Sequence, residues 1–309
     1  MFTQLDRVAL SVWSARPDDV YIVGGGLGAP GLTALALHWD GSRWRDLDPA
    51  VEQTLWWVTG VRGQPRGVWM VGESGTVLRW DGTAFLAIES PVRATLFGAW
   101  AAAPDDVWIV GGVPGAGTVL ENDVVLHWDG QRLVRDDTLP SRGVALLKVW
   151  GSGPDDLWVV GEHGALWHRT QDRWEDHSMS SSTLFSVHGC SRDDVYTVGG
   201  SQLLHFDGAT WSQVGPPINA SAIGVACDTT GVLITGSGGL KLRWDRRSGE
   251  WHDEQNVAPW NTDFHAAWID GDGGNWVVGG NYNQTSKTSP RLGVVGYYGV
   301  RPPLPGDRL

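Results

Sequence analysis

Short apolar runs and polar turns follow one another along this chain in a fixed order that returns again and again. First comes a run of about five apolar residues that ends, in its clearest copies, in Trp, at 9–13, 95–100 and 145–150. A turn follows at Pro17-Asp18-Asp19, Pro104-Asp105-Asp106 and Pro154-Asp155-Asp156, then a second run at 20–23, 107–110 and 157–160 that ends in Gly. A third run carries Leu37-His38-Trp39, Leu126-His127-Trp128 or Leu204-His205-Phe206, and Asp-Gly closes it at Asp40, Asp129 and Asp207. The fourth run starts at Trp44, Phe85, Leu133, Trp174, Trp211 or Trp251. Runs this short, rich in β-branched and aromatic residues and bounded by Gly, Pro and Asp, predict strands. Asp-Gly predicts hairpins, because both central residues tolerate positive φ. No long stretch carries the 3.6-residue apolar period of a helix.

Worn copies of the same unit occupy 67–85, 231–251 and 275–299, which brings the total to seven. Seven units in 309 residues average about 44 residues each, the size of a four-stranded propeller blade. The fold expected is therefore all-β: a seven-bladed β-propeller of four-stranded antiparallel blades in one domain, 1–309. The blades fall at about 8–48, 54–88, 95–136, 144–177, 183–214, 221–255 and 263–299, followed by a Pro-rich tail at 300–309. The seventh unit lacks a fourth strand, and Phe2-Thr-Gln-Leu-Asp6 reads like Trp44-Arg-Asp-Leu-Asp48. The N-terminal segment is expected to complete the last blade and close the ring, removing the free edge of an open array.

Composition narrows the picture further. The net charge is −12, and no cluster of Lys and Arg appears that would displace phosphate counterions, so nucleic acid is not an expected partner. No segment approaches the ~20 apolar residues that cross a bilayer, so membrane insertion is not expected either. The start of the chain has no basic-then-apolar signal region, which leaves a cytoplasmic protein, or a secreted or surface one whose leader has been removed. Cys190 and Cys227 end the inner strands of neighbouring units; such strands usually diverge beyond the ~7 Å that a bridge spans, so the two are expected to stay unbridged.

The repeats Asp-Asp-Val-Trp-x-Val-Gly and His-Trp-Asp-Gly-x-x-Trp resemble those of bacterial seven-bladed β-propellers of the WD-repeat and YVTN-like superfamily. Within that group they are most similar to the Asp-Asp-Val-Trp repeats of bacterial surface and secreted proteins. The Trp-Asp pair here precedes a turn and lacks the Gly-His partner of the usual WD repeat. The resemblance spans nearly the whole chain and implies the fold; it implies no activity, since one fold hosts many functions.

Residues that recur in every unit build blades, so functional candidates are those that break the repeat. His38, His127, His168 and His205 share one slot around the ring and cannot converge on one ion; they are expected to bond to backbone or to an Asp of a nearby turn. The paired Asp residues mimic calcium ligands, but a site needs about six to eight gathered oxygens, and bonds to local backbone N–H groups explain Asp in a tight turn. Gly24-Gly-Gly-Leu-Gly28 looks like a phosphate cradle without a helix to follow it. The connection between the second and third strands is long in units one (24–34), three (111–123) and seven (279–292), and loops on a rigid scaffold concentrate binding residues. Asn281, Tyr282, Asn283 and Lys287, with Asn122 and Asp123, are the binding candidates there. Trp57 and Trp260 join them as tryptophans in non-repeat positions, suited to a sugar face.

On the innermost strands Lys148 is unusual, since an unpaired buried ammonium is costly; it is expected to reach channel water or a carboxylate. His188 replaces Trp, and His265 opens the inner strand of unit seven. Glu73 and Glu162 follow their second strands, the latter beside His163. Glu73, Glu162, Lys148 and His265 in one funnel would supply catalytic acid and base groups, and Glu73, Glu162, His163 and His265 a metal site. The motifs of zincins, α/β-hydrolases, dinucleotide-binding folds and phosphate loops are absent. The reading that follows is a monomeric binding module using the loop face between second and third strands, with a protein or carbohydrate partner and no assigned cofactor. The alternative is a metal-dependent lyase or hydrolase at the channel mouth, which would take a divalent ion.

Overall fold

The computed structural model describes residues 2–64, 66–116, 121–258, 261–271, 273–282 and 291–299, with residues 2–4 as backbone only. Among these the strands form seven four-stranded antiparallel sheets arranged as a propeller. We call the strands of each blade A to D from the axis outwards. Blade one is Val8–Arg16, Asp19–Gly25, Leu35–Trp39 and Trp44–Asp46. The other A strands are Leu55–Thr59, Thr95–Ala103, Leu146–Gly153, Ser186–Ser191, Ala222–Cys227 and Asp263–Ile269. Blade seven takes its outer strand from the other end of the chain: Phe2–Leu5 pairs antiparallel with Gly293–Tyr298, Phe2 opposite Val295 and Leu5 opposite Gly293. The ring is thus closed by backbone hydrogen bonds, as the match between 2–6 and 44–48 predicts.

The core lies between blades. Each principal cluster of buried side chains takes members from two neighbouring blades; Val12, Ile22 and Leu37 of blade one, for example, pack with Trp276, Val278 and Val295 of blade seven and with Leu5 of its closing strand. Period-2 alternation sends one half of a blade's side chains to each neighbour, so both faces are apolar. Trp69, Trp158 and Trp276 are completely buried in this way, each contributing on the order of 5 kcal/mol of transfer free energy before its entropy cost.

The shared histidines act as expected. Nε2 of His38, His127, His168 and His205 meets Oδ1 of Asp19, Asp106, Asp156 and Asp194, the second Asp of each turn, at 2.6, 2.8, 2.6 and 2.9 Å. Each imidazole also stacks on the aromatic ring opposite it on strand B, with centroids 4.2 Å apart at Tyr21 and Trp108, 3.8 Å at Trp158 and 4.4 Å at Tyr196. The second Asp therefore locks strand C to the A–B turn instead of serving local N–H groups. The Asp-Gly pairs form the C–D hairpins as expected, with positive φ at the glycine alone: Gly41, Gly130 and Gly208 have φ of 88°, 88° and 92°, and Asp40, Asp129 and Asp207 do not have positive φ. Asp40 Oδ1 accepts the N–H groups of Ser42 and Arg43, both at 3.0 Å, and this Asx turn holds the Asp at negative φ.

Deleting residues 1–6 removes a β-ladder and the buried Leu5 side chain, which is 5 % exposed. The truncated chain should lose at least about 3 kcal/mol in urea unfolding. An unchanged midpoint would show that the closing strand does not hold the ring.

Candidate functional site

The B–C turns and the starts of the A strands lie on one face. There the carboxylates that break the repeat serve the backbone. Glu73 Oε2 accepts Thr54 N–H at 2.9 Å, and Glu162 accepts Ala145 N–H on Oε2 at 3.1 Å and Gly115 N–H on Oε1 at 2.9 Å. Ser237 Oγ fills the same role for Ser221 N–H in blade six, at 2.9 Å. His163 is exposed at the middle of its turn, with φ 53°. Asn122 Oδ1 accepts Val113 N–H at 2.7 Å, and Asp123 accepts Ser141 Oγ–H at 2.7 Å and Gly143 N–H at 2.6 Å. Asn281 Oδ1 accepts Leu292 N–H at 2.9 Å. Trp260, Asn283 and Lys287 lie outside the described residues.

At this face side chains from several inner strands pack together at the axis. In six A strands the ladder register shifts around one residue: Leu10, Trp56, Phe97, Leu147, Ile223 and His265. Such a bulge leaves its extra residue unpaired and re-aims its side chain, here towards the axis. Phe185 occupies the same slot in blade five. The rings of Trp56 and Phe97 are 5.1 Å apart, those of Trp56 and His265 5.5 Å, and Tyr282 sits edge-on to His265 at 5.4 Å. Contacts between blades two, three and seven are feasible only at the axis. His265 is 9 % exposed, and because a carbonyl only accepts, its Nδ1–H donates to Leu10 O at 2.5 Å. Burial, and then the nearby Lys148 ammonium, push its pKa down to about 3.

Lys148 departs from expectation. In place of a carboxylate among the described residues it meets a carbonyl and a ring: Nζ donates to Phe97 O at 2.8 Å and lies 4.5 Å from the Trp57 ring centroid, with the residue 4 % exposed. A Cβ on Gly98 would stand 2.9 Å from Lys148 Cα, so the small residue lets the two inner strands come close enough for this bond. Burial pulls the amine down to about 7. Lys148 and His265 thus share one patch, while Glu73 and Glu162 sit in separate B–C turns, at Glu73–Gly75 and Glu162–Gly164. Among the described residues no three His, Cys, Asp or Glu side chains gather as metal ligands.

Below these side chains a cavity of about 570 Å³ runs to the A–B turns of the opposite face. Trp13, Trp57, Trp100, Trp150 and Trp268 wall it, with His188, Arg62 and Asp228. The indole of one blade abuts the inner strand of the next: a Cβ on Gly189 would meet Trp150 Cζ3 at 2.4 Å, which is why glycine stands there. Thr59, His188 and Ala226 break the tryptophan ring in blades two, five and six. Blades two and six also lack the Pro-Asp-Asp turn, and their A–B turns supply Arg62 and Asp228. Neither residue stands out by type; their signal is the break in the repeat. Cys190 and Cys227 also border the cavity and are joined in a disulfide, their Cα atoms 5.4 Å apart. This corrects the expectation of unbridged thiols: Gly189 and Ala226 precede the two cysteines, and such small residues let the inner strands approach near the axis.

No protein-family model and no curated protein matches the chain. Solved structures share the fold. "YCF48 bound to D1 peptide" superposes with a TM-score of 0.68 at 15% identity over 96% of both chains. YCF48 from Cyanidioschyzon merolae gives 0.64 at 14%, over 89% of this chain and 93% of that one. The WD40 repeats of RRP9 give 0.68 at 8%, over 94% and 95%. At such identities the likeness is one of fold.

Because the folded-state pKa of His265 lies below the ~6.5 of an unfolded chain, the unfolded state takes up the proton first, and stability falls as pH drops from ~6.5 towards about 3. Replacing His265→Phe, the residue found at Phe97 and Phe185, should remove about 2 kcal/mol of the stability lost between pH 7 and pH 5. Urea midpoints at the two pH values measure this; equal losses in both proteins would refute it. The disulfide spans 37 residues. By loop entropy its reduction, or Cys227→Ser, should cost roughly 3–4 kcal/mol, readable as a lower urea midpoint in the presence of reductant.

Proposed function

We propose that this protein is an interaction module that binds a polypeptide. The observation that carries the reading is the asymmetry of the channel: at one end aromatic and apolar side chains pack across the axis, and the other is an indole-walled cavity of about 570 Å³ with charged groups at its rim. Concave sites of this size with apolar walls and a few convergent polar groups suit ligands. A peptide-bound protein of the same fold supports the choice of partner. The B–C loop face is the second docking surface of this reading. Its exposed residues include Pro30, Thr33 and Val113, while Asn122, Asp123 and Asn281 are engaged in holding their loops. A carbohydrate is the alternative ligand, favoured by the indole faces around the cavity. The metal-dependent enzyme reading finds no assembled donor set among the described residues, because Glu73 and Glu162 are bonded to backbone amides.

Selection from a displayed random-peptide library tests the proposal. Binders should emerge, and Thr229→Trp, an exposed substitution at the cavity rim, should weaken them at least tenfold. Val113→Arg on the opposite face should leave them unchanged. Loss of binding with Val113→Arg alone would move the site to the B–C face, and a library that yields no binder would refute the polypeptide reading.

A further inference from the structure

Arg62 is the least explained cation at the cavity. It is exposed, and no described carboxylate lies within ion-pair distance of it, in a protein whose net charge is −12. Its position is nevertheless set: Nη2 donates to Ile269 O across the channel at 2.6 Å, and the guanidinium lies 5.0 Å from the Trp268 ring centroid. Stacking and one hydrogen bond orient a planar fork whose other N–H groups meet no acceptor among the described residues.

His188 stands next to this group, its ring 5.8 Å from Trp268 and edge-on to it. Cys227 N–H approaches His188 Nδ1 at 3.3 Å. A backbone N–H only donates, so Nδ1 accepts and the neutral ring carries its proton on Nε2. Burial, with Arg62 adding to it, holds the ring neutral by pushing its pKa down to about 4. Asp228 supplies the complementary acceptor. Its Oδ1 receives Thr230 N–H at 2.7 Å and Thr230 Oγ–H at 2.6 Å, while Oδ2 has no partner among the described residues although the residue is only 8 % exposed. An unpartnered buried carboxylate oxygen costs free energy that a donor would recover.

One open cation, one N–H donor, one spare acceptor and an indole-walled cavity meet at the same rim. We infer that the rim captures the free C-terminus of a polypeptide whose last side chain is large and apolar. The terminal carboxylate pairs with Arg62 and the His188 N–H, a backbone N–H of the same chain end serves Asp228, and the last side chain enters among Trp13, Trp100, Trp150 and Trp268. Charge complementarity selects a carboxylate, because Arg62 already occupies the face of Trp268 that an incoming cation would take. This inference rests on the polypeptide-binding reading and specifies its ligand.

The test uses the intact protein, calorimetry, and three probes: N-acetyl-glycyl-glycyl-phenylalanine, its C-terminal amide, and N-acetylphenylalanine. The acid should bind at least tenfold tighter than the amide and quench the cavity tryptophans. Arg62→Gln should reduce binding of the acid at least tenfold, whereas Arg247→Gln, an exposed arginine outside the cavity, should not. Thermal melts establish that both variants fold. Equal binding of acid and amide, no binding of either, or an unaffected Arg62→Gln variant overturns the inference. Equal affinity for N-acetylphenylalanine would overturn the chain-end assignment in favour of a small organic acid. Binding of benzylamine that depends on Asp228, without binding of the acid, would reverse the charge preference and overturn it as well. Library peptides blocked by Thr229→Trp but indifferent to their terminal group would leave polypeptide binding standing and this inference refuted.

Discussion

Both faces of every blade are apolar, so a blade is stable only between two neighbours, and that requirement holds the whole molecule together. Seven blades can satisfy it only by closing on themselves. Closure in turn needs an outer strand that blade seven does not carry in sequence, and residues Phe2–Leu5 provide it from the far end of the chain. The buried tryptophans follow from the same geometry, since wedge-shaped gaps between radiating sheets need large side chains. The Asp–His–aromatic stack repeated in blades one, three, four and five then ties the second and third strands of each of those blades together inside that frame.

Near the axis the constraint reverses. Inner strands converge, and space becomes scarce where it is abundant at the rim. The bulge in the A strands sends one side chain per blade into the top of the channel and fills it. Glycines and other small residues let neighbouring backbones touch, which places Lys148 on a carbonyl and brings Cys190 and Cys227 within bonding reach. A ring of tryptophans lines the lower half, each indole abutting the next blade. At two of its three interruptions, Thr59 and Ala226, polar residues of the adjoining turns stand at the cavity rim, and at the third His188 itself lines the cavity.

Function on a repeat scaffold belongs where the repeat is broken, and the breaks here are of two kinds. Glu73 and Glu162 are structural substitutions: each replaces glycine and caps the start of an inner strand, so their departure from the pattern adds a hydrogen bond rather than a reactive group. Arg62 and Asp228 are different, because they add charged groups to a wall that is otherwise aromatic. A deviation has functional weight when its polar atoms are left over after the local backbone has been satisfied.

The periodic placement of apolar runs, Pro-Asp-Asp turns and Asp-Gly hairpins determined the seven blades, their four strands and the closing role of the N-terminal segment. Those features rest on local propensity and on a pattern copied seven times. The shared role of His38, His127, His168 and His205 was legible for the same reason. What the sequence could not decide was the direction of single side chains at the axis. Lys148, His265, Glu73 and Glu162 looked alike as polar breaks in the pattern, yet bulges and close strand approach turned each to a backbone partner. The disulfide and the meeting of Arg62, His188 and Asp228 at one rim depend on distances between blades that are remote in sequence, Arg62 and Ile269 being 207 residues apart. Such distances are set by how seven sheets pack around an axis, and only the closed ring specifies them.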